Sequence, residues 1–495
     1  MPPSPSTRPQ AAAPPLRARG DACPGALRLH QAADGHLARV RLPAGDLTDR
    51  QAAVLADAAE LLGDGHLSLT SRGNVELRGL AEGCGGRLAA LLRDAGLLPS
   101  ERHERIRNIL ASPLAGLDRH TPPDVRRWAR ELDTLLCASE WATALSGRFL
   151  FVLDDGRGDV AALGGDVSLL AEAGAEPGAE AGTEAGAGAE AEAEAEAEAE
   201  AEAEADRGRP GPVGSALLRV GDDPAALRIA GPDVPRAALT AAGAFLTAAG
   251  ASGSGAWRVR ELPDGHRLTA REVAEALRSA GIEAAYVAEA PAPGARTSPP
   301  HAPQYADSGA PGIVEGPDGV RALSVLAPLG RLSVAQWRLL TAIAEGDGSG
   351  ALRLTPWRGI VLPGLPAAAA PRRLAELTAA GLITDPASPW HRLGACTGRP
   401  GCAKSRTDVR ADATAALTAG AAVPAGPPTG PAPDGLPVYW SGCERRCGHP
   451  HGTWVDVLAT AEGYRVALVE PDTAPPASGT ASASTHAATS SPPAP

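Results

Sequence analysis

The sequence predicts an α+β protein duplicated within one chain, with a metal-binding segment towards its C-terminal end. Three observations in the 495 residues carry this expectation. A strand–helix–strand pattern occurs twice at one constant offset. Four of the seven cysteines fall in two tight pairs. Stretches of biased composition divide the chain into blocks of domain size.

The first copy opens at Asp34-Gly35. His36 to Leu42 reads as a strand, Leu47 to Leu62 has the helical spacing of Leu and Ala, and His66 to Thr70 reads as a second strand. An extended return follows, Ser71-Arg72-Gly73-Asn74-Val75-Glu76-Leu77-Arg78-Gly79-Leu80. The second copy opens at Asp318-Gly319, with a helix over Ser333 to Ala344 and a strand over Ala351 to Thr355. Its return is Pro356-Trp357-Arg358-Gly359-Ile360-Val361-Leu362-Pro363-Gly364-Leu365. Leu47 and Leu332, Gln51 and Gln336, Thr70 and Thr355, Leu77 and Leu362, and Leu80 and Leu365 all share an offset of 285 residues. A register kept over so many landmarks marks an internal repeat. Two such halves about a pseudo-twofold axis place a site between them.

Composition sets the expected boundaries. Residues 1–19 are rich in Pro and Ala and lack the apolar run of a secretory signal, so they are expected to be disordered. Residues 20–100 form half domain 1, and 101–289 a larger domain interrupted by an Ala/Glu insert at 171–214. A Pro-rich linker at 290–311 leads to half domain 2 at 312–371 and a cysteine domain at 372–469. A Ser/Thr/Ala/Pro tail at 470–495 is again expected to be disordered. Thirteen acidic residues and no Lys or Arg lie between Ala171 and Asp206, which accounts for the net charge of -12. Elsewhere charge is balanced, which argues against nucleic acid or a membrane surface as partner. No run reaches the roughly 20 apolar residues of a membrane span, so a soluble, cytoplasmic protein is expected.

The chain is rich in Ala, Gly, Pro and Arg, and this bias makes the exceptions informative. It has one lysine, Lys404, and two asparagines, Asn74 and Asn108. All three fall in segments singled out on other grounds.

The strongest chemical signal is Cys396-Thr-Gly-Arg-Pro-Gly-Cys402 followed by Cys443-Glu-Arg-Arg-Cys447. Four thiolates can hold a [4Fe-4S] cube, one per iron. Gly398, Gly401 and Gly442 let backbone approach the sulfurs and donate N–H bonds to them. An all-cysteine zinc site is the other reading, although its loops are usually shorter than C-x5-C. Cys23, Cys84 and Cys137 are scattered, and Cys137 reads as a small buried hydrophobe.

These cysteines and their spacing resemble the cluster signature of the nitrite/sulfite reductase superfamily. Leu69-Thr70-Ser71-Arg72-Gly73-Asn74-Val75-Glu76-Leu77-Arg78 resembles that family's ferredoxin-like half domain, with Glu76 where Gln is usual. Ile106-Arg107-Asn108-Ile109 with Ser112 to Asp118 resembles its Arg-Asn segment. The resemblance implies a duplicated nitrite/sulfite reductase-like α+β architecture, with two ferredoxin-like half domains and a C-terminal [4Fe-4S] domain. Cys23-Pro24-Gly25, Leu354-Thr355-Pro356-Trp357-Arg358-Gly359 and Ser441-Gly442-Cys443 to Pro450 are similar to segments of the precorrin-3B synthase branch. Siroheme reductases more often place Pro-Asn where Glu444-Arg445 stands.

That branch implies O2-dependent hydroxylation of precorrin-3A at C20, with γ-lactone formation. An electron donor that the sequence does not identify would feed the cluster. A flat polycarboxylate needs a cavity lined by cations, preferably Arg. Arg72, Arg78, Arg107, Arg358, Lys404 and Arg406 are the candidates, with Asn108 beside them. Ordinary salt pairs explain any one of these cations equally well. Asn74 also reads as a turn residue, and Asn108 as the cap of a short helix over Ile109 to Leu114. The branch further implies a mononuclear non-haem iron, for which His391, His449, His451 and Asp456 are candidates, although loop histidines are ordinary. Two alternatives stay open. One is a siroheme-dependent nitrite or sulfite reductase, in which Cys447 would also reach the siroheme. The other is a non-catalytic zinc protein or iron–sulfur carrier.

Overall fold

The computed structural model describes residues 21, 23–118, 125–172, 214–292, 309–421, 423, 435–450 and 452–470. Most of the Ala/Glu insert, most of the Pro-rich linker, most of the loop between the cysteine pairs, the N-terminal segment and the tail lie outside these residues.

Half domain 1 contains β1 (His30–Ala32), β2 (Gly35–Val40), β3 (Asp46–Thr48), α1 (Asp49–Leu62), β4 (His66–Leu69), β5 (Val75–Leu80) and α2 (Gly85–Asp94). The next domain contains β6 (Ile109–Ala111), α3 (Val125–Ala138), β7 (Phe151–Asp154), β8 (Val167–Ala171), β9 (Ser215–Val220), β10 (Ala226–Ala230), α4 (Val234–Ser252), α5 (Ala270–Ser279) and β11 (Ala285–Val287). Half domain 2 follows with β12 (Gly312–Glu315), β13 (Val320–Leu326), β14 (Arg331–Ser333), α6 (Val334–Gly346), β15 (Ala351–Leu354), β16 (Gly359–Pro366) and α7 (Ala370–Ala379). The C-terminal domain holds β17 (Leu393–Ala395), α8 (Val409–Thr418), β18 (Val438–Ser441), β19 (Trp454–Thr460) and β20 (Gly463–Val469).

The repeat read from the sequence is kept in atomic detail. Thr48 and Ser333 each close a capping box, with Gln51 and Gln336 as the reciprocal partners. The same glutamines then reach the far end of each half, Gln51 Nε2 to the Ala95 carbonyl at 3.2 Å and Gln336 Nε2 to the Ala380 carbonyl at 2.9 Å. A capping box satisfies two of the backbone donors that every helix start leaves free, so each helix begins at a defined residue.

The halves exchange an edge strand. β3 pairs antiparallel with β15 of half domain 2, and β14 pairs antiparallel with β4 of half domain 1. The two sheets therefore run β1-β2-β5-β4-β14 and β12-β13-β16-β15-β3. Ala44 and Leu329, just before the exchanged strands, both take positive φ, 57° and 50°. Side chains rarely adopt this conformation, and the chain holds it at the two points where it crosses between halves. The hydrogen bonds that follow are reciprocal: Asp49 N–H to Gly350 at 2.9 Å, and Val334 N–H to Gly65 at 3.1 Å.

One apolar core spans both halves, from Ala52, Leu55 and Leu77 to Trp337, Leu340 and Leu362. Trp337 donates its indole N–H to the Ala52 carbonyl at 2.8 Å, across a separation of 285 residues. Ala52 and Trp337 are thus each other's repeat partners. Contact between them means that both sit beside the pseudo-twofold axis, the small residue leaving the space that the large one fills.

The outer domains repeat as well. β6, β7 and β8 are parallel and β9 runs antiparallel to β8. β17, β18 and β19 are parallel and β20 runs antiparallel to β19. Ile109 to Ala111 is a strand, so Asn108 leads into β6 and caps no helix.

Trp337→Ala is expected to cost about 3–5 kcal/mol in a urea melt, and to lower both halves in a single transition. Separate transitions for the two halves would contradict a shared core.

Candidate active site

A cavity of about 1090 Å³ opens where the four parts meet. That exceeds the usual range for small-ligand pockets, on the order of 300–1,000 Å³, and suits a macrocycle. Cys396, Cys447 and Gly448 form one wall, from the C-terminal domain. Half domain 1 supplies Arg39, Arg72, Asn74 and Glu76, and the neighbouring domain supplies Arg148, Trp257, Arg258 and Arg260. Arg358 comes from half domain 2, and Arg410, Tyr439 and Arg445 from the cysteine domain.

The lining has more cations than carboxylates. Arg39 pairs with Glu76 at 2.6 Å, and Arg258 with Asp166. Burial would raise the Glu76 carboxyl, but Arg39 and Arg78 hold it below its ordinary value. Among the described residues the Arg72 guanidinium has only a long 3.5 Å contact to the Gly147 carbonyl. Burial and the charges of Arg258 and Arg39 pull it down to about 10. Behind the lining, Arg41 is buried, and its Nη2 has no hydrogen-bond partner among the described residues. Burial and Arg39 pull it down to about 9. Guanidiniums held this way favour an anion entering the cavity.

The cysteine wall is built by two loops at the ends of parallel strands. Cys396 follows β17, and its N–H donates to the Trp440 carbonyl at 3.0 Å. Gly442 N–H donates to Cys396 Sγ at 3.3 Å. Within the second loop Arg446 takes φ 45°, which turns the chain back between Cys443 and Cys447. Its Nε donates to Asp456 on β19 at 2.7 Å. Burial pushes the Cys396 and Cys447 thiols up, so a metal held there would have to supply the positive charge that deprotonates them. The Gly442 N–H aimed at Cys396 Sγ is the kind of donor that a metal-bound thiolate accepts.

The expected site residues separate into three groups. Arg72 and Arg358 line the cavity. Arg358 occupies the repeat position of Gly73, and both have positive φ, 61° and 63°. Its guanidinium lies 5.7 Å from the Tyr439 ring and donates to the Gly448 carbonyl at 2.8 Å. Burial pushes the Tyr439 phenol up to about 12, so it stays a donor, bonding the Cys447 carbonyl at 2.6 Å. Arg78 and Arg107 are buried in closed networks outside the lining, and Asn108 is buried there with its Oδ1 unpartnered among the described residues. Arg78 is bidentate to Asp34 and donates to the Gly401 carbonyl at 2.6 Å, which ties half domain 1 to the first cysteine loop. Arg107 is bidentate to Asp133, and Asn108 Nδ2 donates to the Gly147 carbonyl at 2.6 Å. Lys404 and Arg406 are exposed and do not line the cavity.

The suggested iron ligands do not assemble. His391 and His449 line a second cavity of about 440 Å³, and neither joins a cluster of three ligand side chains among the described residues. Asp456 is held by Arg446, and His451 lies outside the described residues. The residues present therefore do not fit a mononuclear iron at these positions. Sequence reading missed Arg39, Arg258, Arg410 and Tyr439. Only Tyr439 carried a signal, as one of four tyrosines in an aromatic-poor chain.

Comparison with known proteins agrees with this geometry. The nitrite/sulfite reductase ferredoxin-like half domain matches residues 30–93 and 314–380, the two halves that exchange strands. The fold is that of the Mycobacterium tuberculosis NirA protein, with a TM-score of 0.59 over 87% of this chain and 74% of that one, at 18% identity. The chain thus has a duplicated nitrite/sulfite reductase-like α+β architecture. The chain is also similar to precorrin-3B synthase: it is 36% identical to that protein from Sinorhizobium sp over 154 residues, 31% of this chain and 33% of the relative. It is 34% identical to a ferredoxin–nitrite reductase of Leptolyngbya laminosa over 100 residues, 20% of each chain. These matches span about a third or less of the curated relatives. No described helix is long and apolar enough to cross a membrane.

Arg78→Ala is expected to leave the protein folded but to free the first cysteine loop, so that iron per chain after aerobic gel filtration falls at least twofold. Unchanged iron would mean that Arg78 does not position Cys402.

Proposed function

We propose that this protein is an oxidoreductase acting on a polycarboxylate tetrapyrrole, and specifically a precorrin-3B synthase. The observation that carries the reading is the arginine-lined cavity between the halves, with Cys396 and Cys447 in its wall. The likeness to a precorrin-3B synthase supports it. The overall reaction balances as precorrin-3A, O2, two electrons and two protons giving precorrin-3B and water. One oxygen atom enters at C20, a γ-lactone closes, and the other atom leaves as water. Cys396, Cys402, Cys443 and Cys447 would hold a [4Fe-4S] cluster, which would supply electron transfer from an external donor. Arg72 and Arg358 hold substrate carboxylates, Arg39 and Arg258 complete the positive lining, and Trp257 offers a flat apolar surface.

A siroheme-dependent nitrite or sulfite reductase is the second reading. It is favoured by the position of Cys447 at the cavity wall and by the nitrite reductase relative.

One spectrum separates the two. Anaerobically purified protein is expected to show a broad iron–sulfur shoulder without siroheme bands, about four irons per chain, and conversion of precorrin-3A that depends on O2 and reductant. Strong siroheme bands with nitrite or sulfite turnover would move the protein to the second reading, and a colourless zinc protein would overturn both. Arg358→Gly tests the lining. Relief of the positive φ, about 1–2 kcal/mol, offsets the lost contacts, so the melting temperature should move little. The KM for precorrin-3A should rise about tenfold, as expected for one lost charge-assisted contact of about 1.5–3 kcal/mol.

A further inference from the structure

The loop after β7 is the counterpart of the second cysteine loop. β7 and β18 are the second members of matching parallel trios, so Asp154 to Asp159 leaves its sheet where Cys443 to Cys447 leaves the other. Ser112 follows β6 as Cys396 follows β17. Where one domain carries thiols, the other carries three carboxylates.

Asp154, Asp155 and Asp159 bring one oxygen each within 4.8 Å of one another. Asp154 and Asp155 are fully buried, and the Asp159 side chain is 5% exposed. Asp154 accepts four backbone N–H bonds, from Gly156, Gly158, Val160 and Ala161. Asp155 takes a bidentate pair from Arg157. Asp159 Oδ1 accepts from Ser112 Oγ at 2.6 Å and from the Val160 N–H at 2.7 Å. Asp159 Oδ2 is buried and has no hydrogen-bond partner among the described residues, with the Arg157 Nε 4.0 Å away.

A buried carboxylate oxygen without a donor bears the desolvation cost of a charged group with nothing to offset it. Here it faces two further carboxylates, and Arg157 already spends its short bonds on Asp155 and Asp118. Burial and the charges of Asp154 and Asp155 push Asp159 up to about 8. Either a proton or a cation must resolve this arrangement. The donors are all oxygen, which selects hard divalent ions over zinc or a cluster.

We propose that Asp159 Oδ2, beside the Asp154 and Asp155 carboxylates, holds a hard divalent cation of the Ca2+, Mg2+ or Mn2+ class, in the first domain's counterpart of the cysteine site. Asp159 Oδ2 is the principal ligand. The loop that carries the ion is held to Ser112 after β6 by the Ser112 Oγ bond to Asp159 Oδ1. The site is separate from the proposed tetrapyrrole cavity and stands whether or not that reading holds.

The test uses the full chain. Elemental analysis after desalting, and Mn2+ titration of chelator-treated protein followed by EPR, should both give about one tightly held divalent ion per chain besides iron. Asp159→Asn should lose that ion at unchanged iron content, with circular dichroism confirming the fold. If that variant does not fold, Asp159→Ser and the wild type decide: chelation should lower the wild-type melting temperature by several degrees, and Mn2+ should restore it. The proposal is overturned if the wild type holds no stoichiometric Ca2+, Mg2+ or Mn2+ and takes up none. It is equally overturned if a folded variant at Asp159 binds Mn2+ as the wild type does. A shared proton would then neutralise the cluster.

Discussion

The exchange of β3 and β14 between the two halves is the constraint on which the rest of the molecule depends. Each half lacks the last strand of its own sheet and takes it from the other. Neither sheet is complete alone, and an uncovered strand edge is a liability that folded proteins avoid. Because both crossings meet at one pseudo-twofold axis, α1 and α6 are brought together there. Trp337 can then reach its own repeat partner. The positive φ of Ala44 and Leu329 is the local cost of that geometry, repeated once on each side.

From this frame the cavity follows. The exchanged strands fix the angle between the halves, and the returns after β4 and β15 then face the same space. The repeat is kept in backbone and broken in chemistry. Gly73 and Arg358 share a left-handed conformation, which glycine adopts freely and arginine does not. Strain kept at a side chain that touches both Tyr439 and the second cysteine loop is the pattern expected where function outweighs local stability. Glu76 and Arg78 in half domain 1 correspond to Val361 and Pro363 in half domain 2, so the polar network that ties down the first cysteine loop exists on one side only.

The repeat was legible because it is written locally. Capping residues, turn glycines and apolar periodicity act within a few residues of one another and survive as pattern. The strand exchange was not legible. A three-residue strand has no periodicity, and its partner lies hundreds of residues away. The site was legible in part. The cysteines announce themselves by spacing, whereas 45 arginines look alike in sequence. Arg107 reads as a cavity cation until Asp133, on α3, takes its guanidinium. Rarity was an uneven guide: it pointed to Lys404, which is exposed, and to Asn108, which holds Gly147 at the cavity's edge. The same reasoning, carried to the aromatic residues, reaches Tyr439.

The exchange also sets an order of events on the ribosome. Ser68 in β4 pairs with Arg331 in β14, and everything between them has to be synthesised first. At about 5–20 residues per second the first half waits on the order of tens of seconds with β4 exposed. During that interval its open edge, and the apolar face of α1 awaiting Trp337, are surfaces for holding factors or for a neighbouring nascent chain. Folding of this protein is therefore timed by its second half, and a ribosome that stalls before β14 leaves an adhesive fragment rather than a small folded domain.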